Sequence, residues 1–183
     1  MRQLIKFSLF DAGNSVFPML VLSALTSSYF VNHIVADEQL GTALWQLTIG
    51  IAGIFIALVM PYIGNLADNM INGRLKLLRL FTFLCILFVG CFYFILPNQE
   101  YVLMALVILF LGSVTYEASN SLYNSIMKNC ATNNLTLSSG IGFGTGFLGG
   151  VLILILLLYT LILPQPNLFG IIMDNYLHLR FAH

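Results

Sequence analysis

Gly64-Asn65-Leu66-Ala67-Asp68-Asn69-Met70-Ile71-Asn72-Gly73-Arg74-Leu75-Lys76 is a short polar stretch between two long apolar runs. It brings one acid, Asp68, and two bases, Arg74 and Lys76, and a third base, Arg79, follows closely. A charged turn between two membrane-length segments is inexpensive only where it reaches water, so the stretch reads as a loop at a membrane face. Its basic residues mark that face as cytoplasmic.

The composition agrees. Of 183 residues, 59% are hydrophobic and only 8% are charged, whereas soluble domains carry about 25% charged residues. A chain of this size cannot hide so much apolar surface from water, so lipid is its solvent. The net charge is zero and the bases form no strip that could track phosphates, which argues against a nucleic-acid partner. Cys85, Cys91 and Cys130 make no Cys-x-x-Cys pair, and His33, His178 and His183 are scattered. No metal site and no cofactor are expected. No Ser-His-Asp or Cys-His set suggests an enzyme.

A spanning helix needs about 20 mostly apolar residues. The chain therefore reads as an all-α, polytopic membrane helical bundle over residues 1–163. Its five helices are expected at about 4–35, 40–63, 75–96, 101–127 and 135–163. Pro61 is read as stopping the second, Pro97 as closing the third, and Pro164 and Pro166 as ending the fifth. Arg2, Lys6 and the apolar residues after them imitate a signal peptide. However, Asp11 and Asn14 interrupt the core and the run continues to Ile34, which suits a first span. With the N-terminus in the cytoplasm, Arg2, Lys6, Arg74, Lys76, Arg79 and Lys128 all fall inside, and the outside loops between helices hold no Lys or Arg. Arg180 is the exception. The tail, residues 164–183, reads as an extracytoplasmic loop or interfacial helix leading to a sixth helix that this chain lacks.

Polar residues inside the spans are the candidates for function. Asp11, Asn14 and Ser15 share one face of the first helix. Asp11 either lines a pathway or salts the helix start near the membrane surface. On the fourth helix, Ser113, Glu117, Asn120 and Asn124 form a stripe that must face protein or water. Glu117 is either a functional acid or a neutral one bonded to a neighbouring helix. On the fifth helix, Gly142, Gly146 and Gly150 recur every four residues, and so do Gly140 and Gly144. Such bare faces let another helix approach closely. No Lys-Ser/Thr follows them, so they are not a phosphate loop.

Three stretches carry a resemblance. Gly-x-Leu-Ala-Asp at 64–68, followed by Gly73 and Arg74, resembles the signature loop between the second and third helices of the major facilitator superfamily. Phe10-Asp11-Ala12-Gly13-Asn14-Ser15-Val16-Phe17 is similar to the motif that opens the vacuole effluxer-like family of that superfamily. Tyr123-Asn124 and the Ser138-Ser139-Gly140 to Gly150 run also resemble that family.

The resemblance implies the N-terminal part of a twelve-helix fold built in two halves, with the solute site between them. It implies secondary transport of small polar solutes, amino acids among them, by alternating access. Asp11, Asn14, Glu117, Asn120 and Asn124 would form the solute or proton pathway, and one of the two acids would carry the proton. Gly64, Asp68, Gly73 and Arg74 would form the gating loop, with Asp68 holding the cytoplasmic ends of the halves together. The partners so implied are the lipid bilayer, a small-molecule solute, and a missing C-terminal half or a homo-oligomer. The expected location is a bacterial inner (plasma) membrane. The alternative is a truncated remnant that does not transport, or a small membrane protein that associates through its glycine faces.

Overall fold

The computed structural model describes residues 9–130 and 135–163. The expected tail at 164–183 and the bases Arg2, Lys6 and Arg180 lie outside the described residues. Among the described residues, five helices are long and apolar enough to cross a membrane, and there is no strand.

The first helix, α1 (Leu9–Val35), is not a regular α-helix throughout. Pro18 has no N–H to return to the preceding turn, so the ladder loses a rung there. The backbone widens into i→i+5 turns over Phe17–Ala24 and again over Phe30–Val35. The Ser23 hydroxyl donates to the Pro18 carbonyl at 2.9 Å and to the Met19 carbonyl at 3.1 Å. Such side-chain bonds satisfy carbonyls that no water reaches in a membrane. Ala36, in a left-handed conformation (φ 58°), ends α1. Asp37 then caps the next helix by accepting from the Leu40 amide at 2.9 Å.

That second helix, α2 (Glu38–Asp68), corrects the reading of Pro61 as a stop. A proline removes one bond from a 31-residue ladder, and membrane helices tolerate the loss because the remaining bonds have no aqueous alternative. As a result Gly64–Asp68 is the last helical turn, and only residues 69–72 form the connection. Asn72 takes a left-handed conformation (φ 55°), which asparagine adopts more readily than most residues. The third helix, α3 (Gly73–Cys91), starts immediately and closes in a tighter turn, Phe92–Phe94. A second tight turn, Gln99–Tyr101, leads into α4 (Val102–Cys130). The last helix, α5 (Leu135–Leu157), ends in another wide turn, Leu158–Ile162.

The packing centres on α4, which lies against both α2 and α3, while α5 meets the bundle chiefly through α1. One buried cluster gathers Tyr29, Phe30, Trp45, Phe92, Ile95 and Leu109 at the end away from the charged connection. Two bonds lock it: Trp45 Nε1 donates to the Leu22 carbonyl at 3.2 Å, and the buried Tyr29 hydroxyl donates to the Ile95 carbonyl at 3.0 Å. The second cluster, Ala67, Leu77, Leu78, Leu122 and Tyr123, closes the charged end. Large apolar side chains such as Leu58, Phe83, Ile86 and Leu152 stay exposed, as expected for surfaces solvated by lipid tails.

Candidate solute pocket between α1, α4 and α5

Two aromatic rungs join α1 to α4. Phe10 stacks on Tyr123 with ring centroids 4.8 Å apart, and Phe17 stacks on Tyr116 at 4.6 Å. Seven residues separate the two rings on each helix, and the pairing order is reversed between the helices. The helices are therefore antiparallel and in register over two turns, about 10 Å at 1.5 Å per residue. Asp11 and Asn14 on α1 and Asn120 on α4 fall between the rungs in sequence.

Beside these rungs lies a pocket of about 510 Å³. Helix α1 contributes Asp11, Asn14 and Ser15 to its wall, and α4 contributes Tyr116, Asn120, Tyr123 and Asn124. Helix α5 closes it with Gly142, Phe143 and Phe147. Asp11, Asn14 and Asn120 are half-buried, and Asn124 is exposed at the rim.

The approach of α5 depends on its glycines. A Cβ at Gly146 would stand 2.7 Å from Ser15 Oγ and 2.9 Å from Asp11 Oδ2, closer than real Cβ atoms come. A Cβ at Gly150 would stand 2.8 Å from Met19 Sδ, and one at Gly149 2.7 Å from Ala12 Cβ. Gly142, the other member of the four-residue repeat, is buried and lines the pocket. Among the described residues, nothing lies within 4 Å of a Cβ built at Gly140 or Gly144.

Four of the five expected pathway residues thus come together: Asp11, Asn14, Asn120 and Asn124. Glu117 is not in the pocket wall. It is exposed on α4, on a stripe with Ser121 and Asn124. Ser113, grouped with it by spacing, is buried at 4% exposure, and its hydroxyl has no partner among the described residues. Sequence reasoning did not find Tyr116, Phe143 or Phe147. The equal seven-residue spacing of Phe10/Phe17 and Tyr116/Tyr123 was the available signal for the first.

A second cavity of about 470 Å³ lies between α1 and α3, walled mainly by apolar residues such as Phe17, Leu20, Val21, Ile86 and Val89. Asn14 lines both cavities.

At the charged end, Arg74 Nε donates to Asp68 Oδ1 at 2.8 Å, and both side chains are exposed. Gly73 is buried where a Cβ would run into the Ala67 carbonyl and stand 2.7 Å from Met70 Cβ. Gly64 meets nothing within 4 Å. The helix hairpin therefore requires Gly73 sterically and leaves Gly64 unconstrained.

Five apolar, membrane-length helices among the described residues define an integral membrane protein. The family described as vacuole effluxer Atg22 like matches residues 29–138, and the chain belongs to that family. The match takes in the Asp68–Arg74 connection and the α4 face of the pocket, but neither Asp11 nor the α5 glycines. No curated protein and no solved structure matches the chain. Families of this type move solutes rather than catalyse reactions.

Proposed function

We propose that the chain forms one side of a secondary transporter that moves a small polar solute by alternating access. The observation that carries this reading is the convergence of Asp11, Asn14, Asn120 and Asn124 on one pocket within the spanning helices. Polar groups on spanning helices turn toward a cavity, water or a partner helix rather than lipid. Amino acids, with several hydrogen-bonding groups in a small volume, belong to the solutes to be tested. Asp11 and Glu117 are the two acids able to carry a coupled proton. Glu117, exposed with Ser121 and Asn124, presents a polar stripe that a second bundle, from the same polypeptide or another, would cover. Asp68 and Arg74 act as the gate at the cytoplasmic face of a plasma membrane.

The test is solute uptake or exchange in proteoliposomes by the full-length protein and its Asp11→Asn variant. Asp11-dependent movement of a polar solute supports the reading, and leakage-level flux with every polar solute tried overturns it. A second reading, association without transport, draws on Gly140 and Gly144, where nothing among the described residues lies within 4 Å of a built Cβ. Cross-linking through cysteines placed there would reveal it as a discrete dimer band.

A further inference from the structure

A further cavity, of about 380 Å³, lies between α1 and α2 at the end away from the charged connection. Its wall is polar. Helix α1 contributes Ser23, Ser28 and Asn32, and α2 contributes Glu38, Thr42 and Gln46. The three α2 residues recur every four positions and so share one face. All six side chains are exposed. On spanning helices such groups turn toward water or protein rather than lipid. Gln46 is eight residues into α2, about 12 Å at 1.5 Å per residue, so the polar face reaches well into the span.

Ser23 also lines the α1–α4–α5 pocket, together with Pro18 and Met19. The two polar cavities therefore border the same residue. Ser23 belongs to the widened stretch Phe17–Ala24, and its hydroxyl is folded back onto the Pro18 and Met19 carbonyls. This stretch is pinned on either side, at Phe17 by the stack on Tyr116 and at the Leu22 carbonyl by Trp45 Nε1. A small side chain on a pinned backbone makes the size of residue 23 the quantity that sets the opening between the cavities. On the reading that the inner pocket is a solute site, we infer that the α1–α2 cavity is the outer compartment of the solute path, and that the path enters the inner pocket beside Ser23. The hydroxyls, amides and carboxylate of the outer wall suit a polar solute, which exchanges water for these groups as it moves inward.

The test is labelling of the full-length protein by MTSET, a membrane-impermeant thiol reagent, in sealed membranes. Asp37→Cys, in the α1–α2 connection, identifies the preparation, intact cells or inside-out vesicles, in which this end meets the reagent. The parent protein, with its native cysteines, sets the background. Labelling is irreversible, so it accumulates even when this end of the path opens for only part of the time. Thr42→Cys and Gln46→Cys should react about tenfold or more faster than Leu47→Cys, an exposed apolar neighbour on the same helix. Asn120→Cys, in the inner pocket, should react from the same side. Ser23→Leu should slow Asn120→Cys several-fold and leave Thr42→Cys unchanged. Ser23→Thr, which keeps a hydroxyl and adds a methyl, should slow Asn120→Cys by a smaller factor, and it keeps the test decisive if Ser23→Leu does not insert. Labelling of Thr42→Cys and Gln46→Cys no faster than Leu47→Cys means that a partner helix covers the face, and overturns the inference. Labelling of Asn120→Cys that ignores both Ser23 variants overturns it too. Either result beside Asp11-dependent solute flux leaves the solute-site reading standing. The expected labelling with flux at leakage level overturns that reading and the path with it.

Discussion

The Asp11 carboxylate lies against the bare backbone of Gly146: a Cβ at that glycine would stand 2.9 Å from Asp11 Oδ2. The acid on one helix is thus accommodated by an absent side chain on another. Gly146→Ala meets the ends of the Ser15 and Asp11 side chains, which must turn aside, and should cost about 1 kcal/mol or less. Gly146→Leu should detach α5 from α1. Gly144→Ala, which meets nothing within 4 Å among the described residues, should leave the melting temperature in detergent unchanged or slightly higher, since alanine is the better helix former. Equal melting temperatures for Gly144→Ala and Gly146→Ala would refute this contact.

The stacked pairs should be energetically coupled. A double-mutant cycle on Phe17→Leu and Tyr116→Leu should give a coupling of about 0.5–1.5 kcal/mol beyond the separate effects. The mismatched cycle, Phe17→Leu with Tyr123→Leu, should give close to none. A coupling of similar size in both cycles would contradict the observed register of α1 on α4.

The two glycines on either side of the α2–α3 connection, Gly64 in α2 and Gly73 at the start of α3, should respond differently to substitution. Gly73→Ala drives a methyl toward the Ala67 carbonyl, a backbone atom that cannot swing away, and should destabilise by about 1–3 kcal/mol. Gly64→Ala meets nothing and should be tolerated. Chemical denaturation of the two variants side by side distinguishes them.

The Asp68–Arg74 ion pair is exposed and, as an isolated contact, should contribute about 0–1 kcal/mol to stability. Asp68→Asn and Arg74→Ala should therefore fold nearly as well as the parent. If the pair serves the gate, both should still lose most of their transport rate. Exchanging the two residues should restore the pair and its small stability term but not transport. Full transport by the exchanged variant would reduce Asp68 to one half of a surface ion pair.

Glu117 is exposed on α4, so Glu117→Gln should insert and melt as the parent does. As a proton carrier it should lose proton coupling, read as solute movement without the accompanying pH change inside proteoliposomes. Retained coupling in Glu117→Gln would leave Asp11 as the acid to examine.

Much of the architecture was legible because membranes restrict the options. Long apolar runs separated by charge force spanning helices, and the bases around Arg74 and Lys76 show where the chain returns to water. Pro61 misled because the rule that prolines end helices comes from chains whose freed carbonyls can turn to water. In a span they cannot, and α2 continues to Asp68. The pocket was legible by halves. Spacing put Asp11 with Asn14, and Asn120 with Asn124, on common faces. Spacing could not decide which flank of the α4 stripe turns inward, because residues three and four apart cover a wide arc. Hence Glu117 was grouped with Ser113, which is buried, and Asn120, which lines the pocket, as well as with Asn124, which shares its exposed stripe. The aromatic rungs exist only once two helices are known to be neighbours and antiparallel, which is tertiary information that neither helix carries alone.

The paired stacks at Phe10–Tyr123 and Phe17–Tyr116 also limit how the pocket can change size. Two stacks about 10 Å apart set the register of α1 on α4 and resist sliding between them. Helix α5 meets α1 through the backbone of Gly146, Gly149 and Gly150. A displacement of α5 along α1, with Phe143 and Phe147 as the travelling wall, is the change of cavity size that this arrangement opposes least.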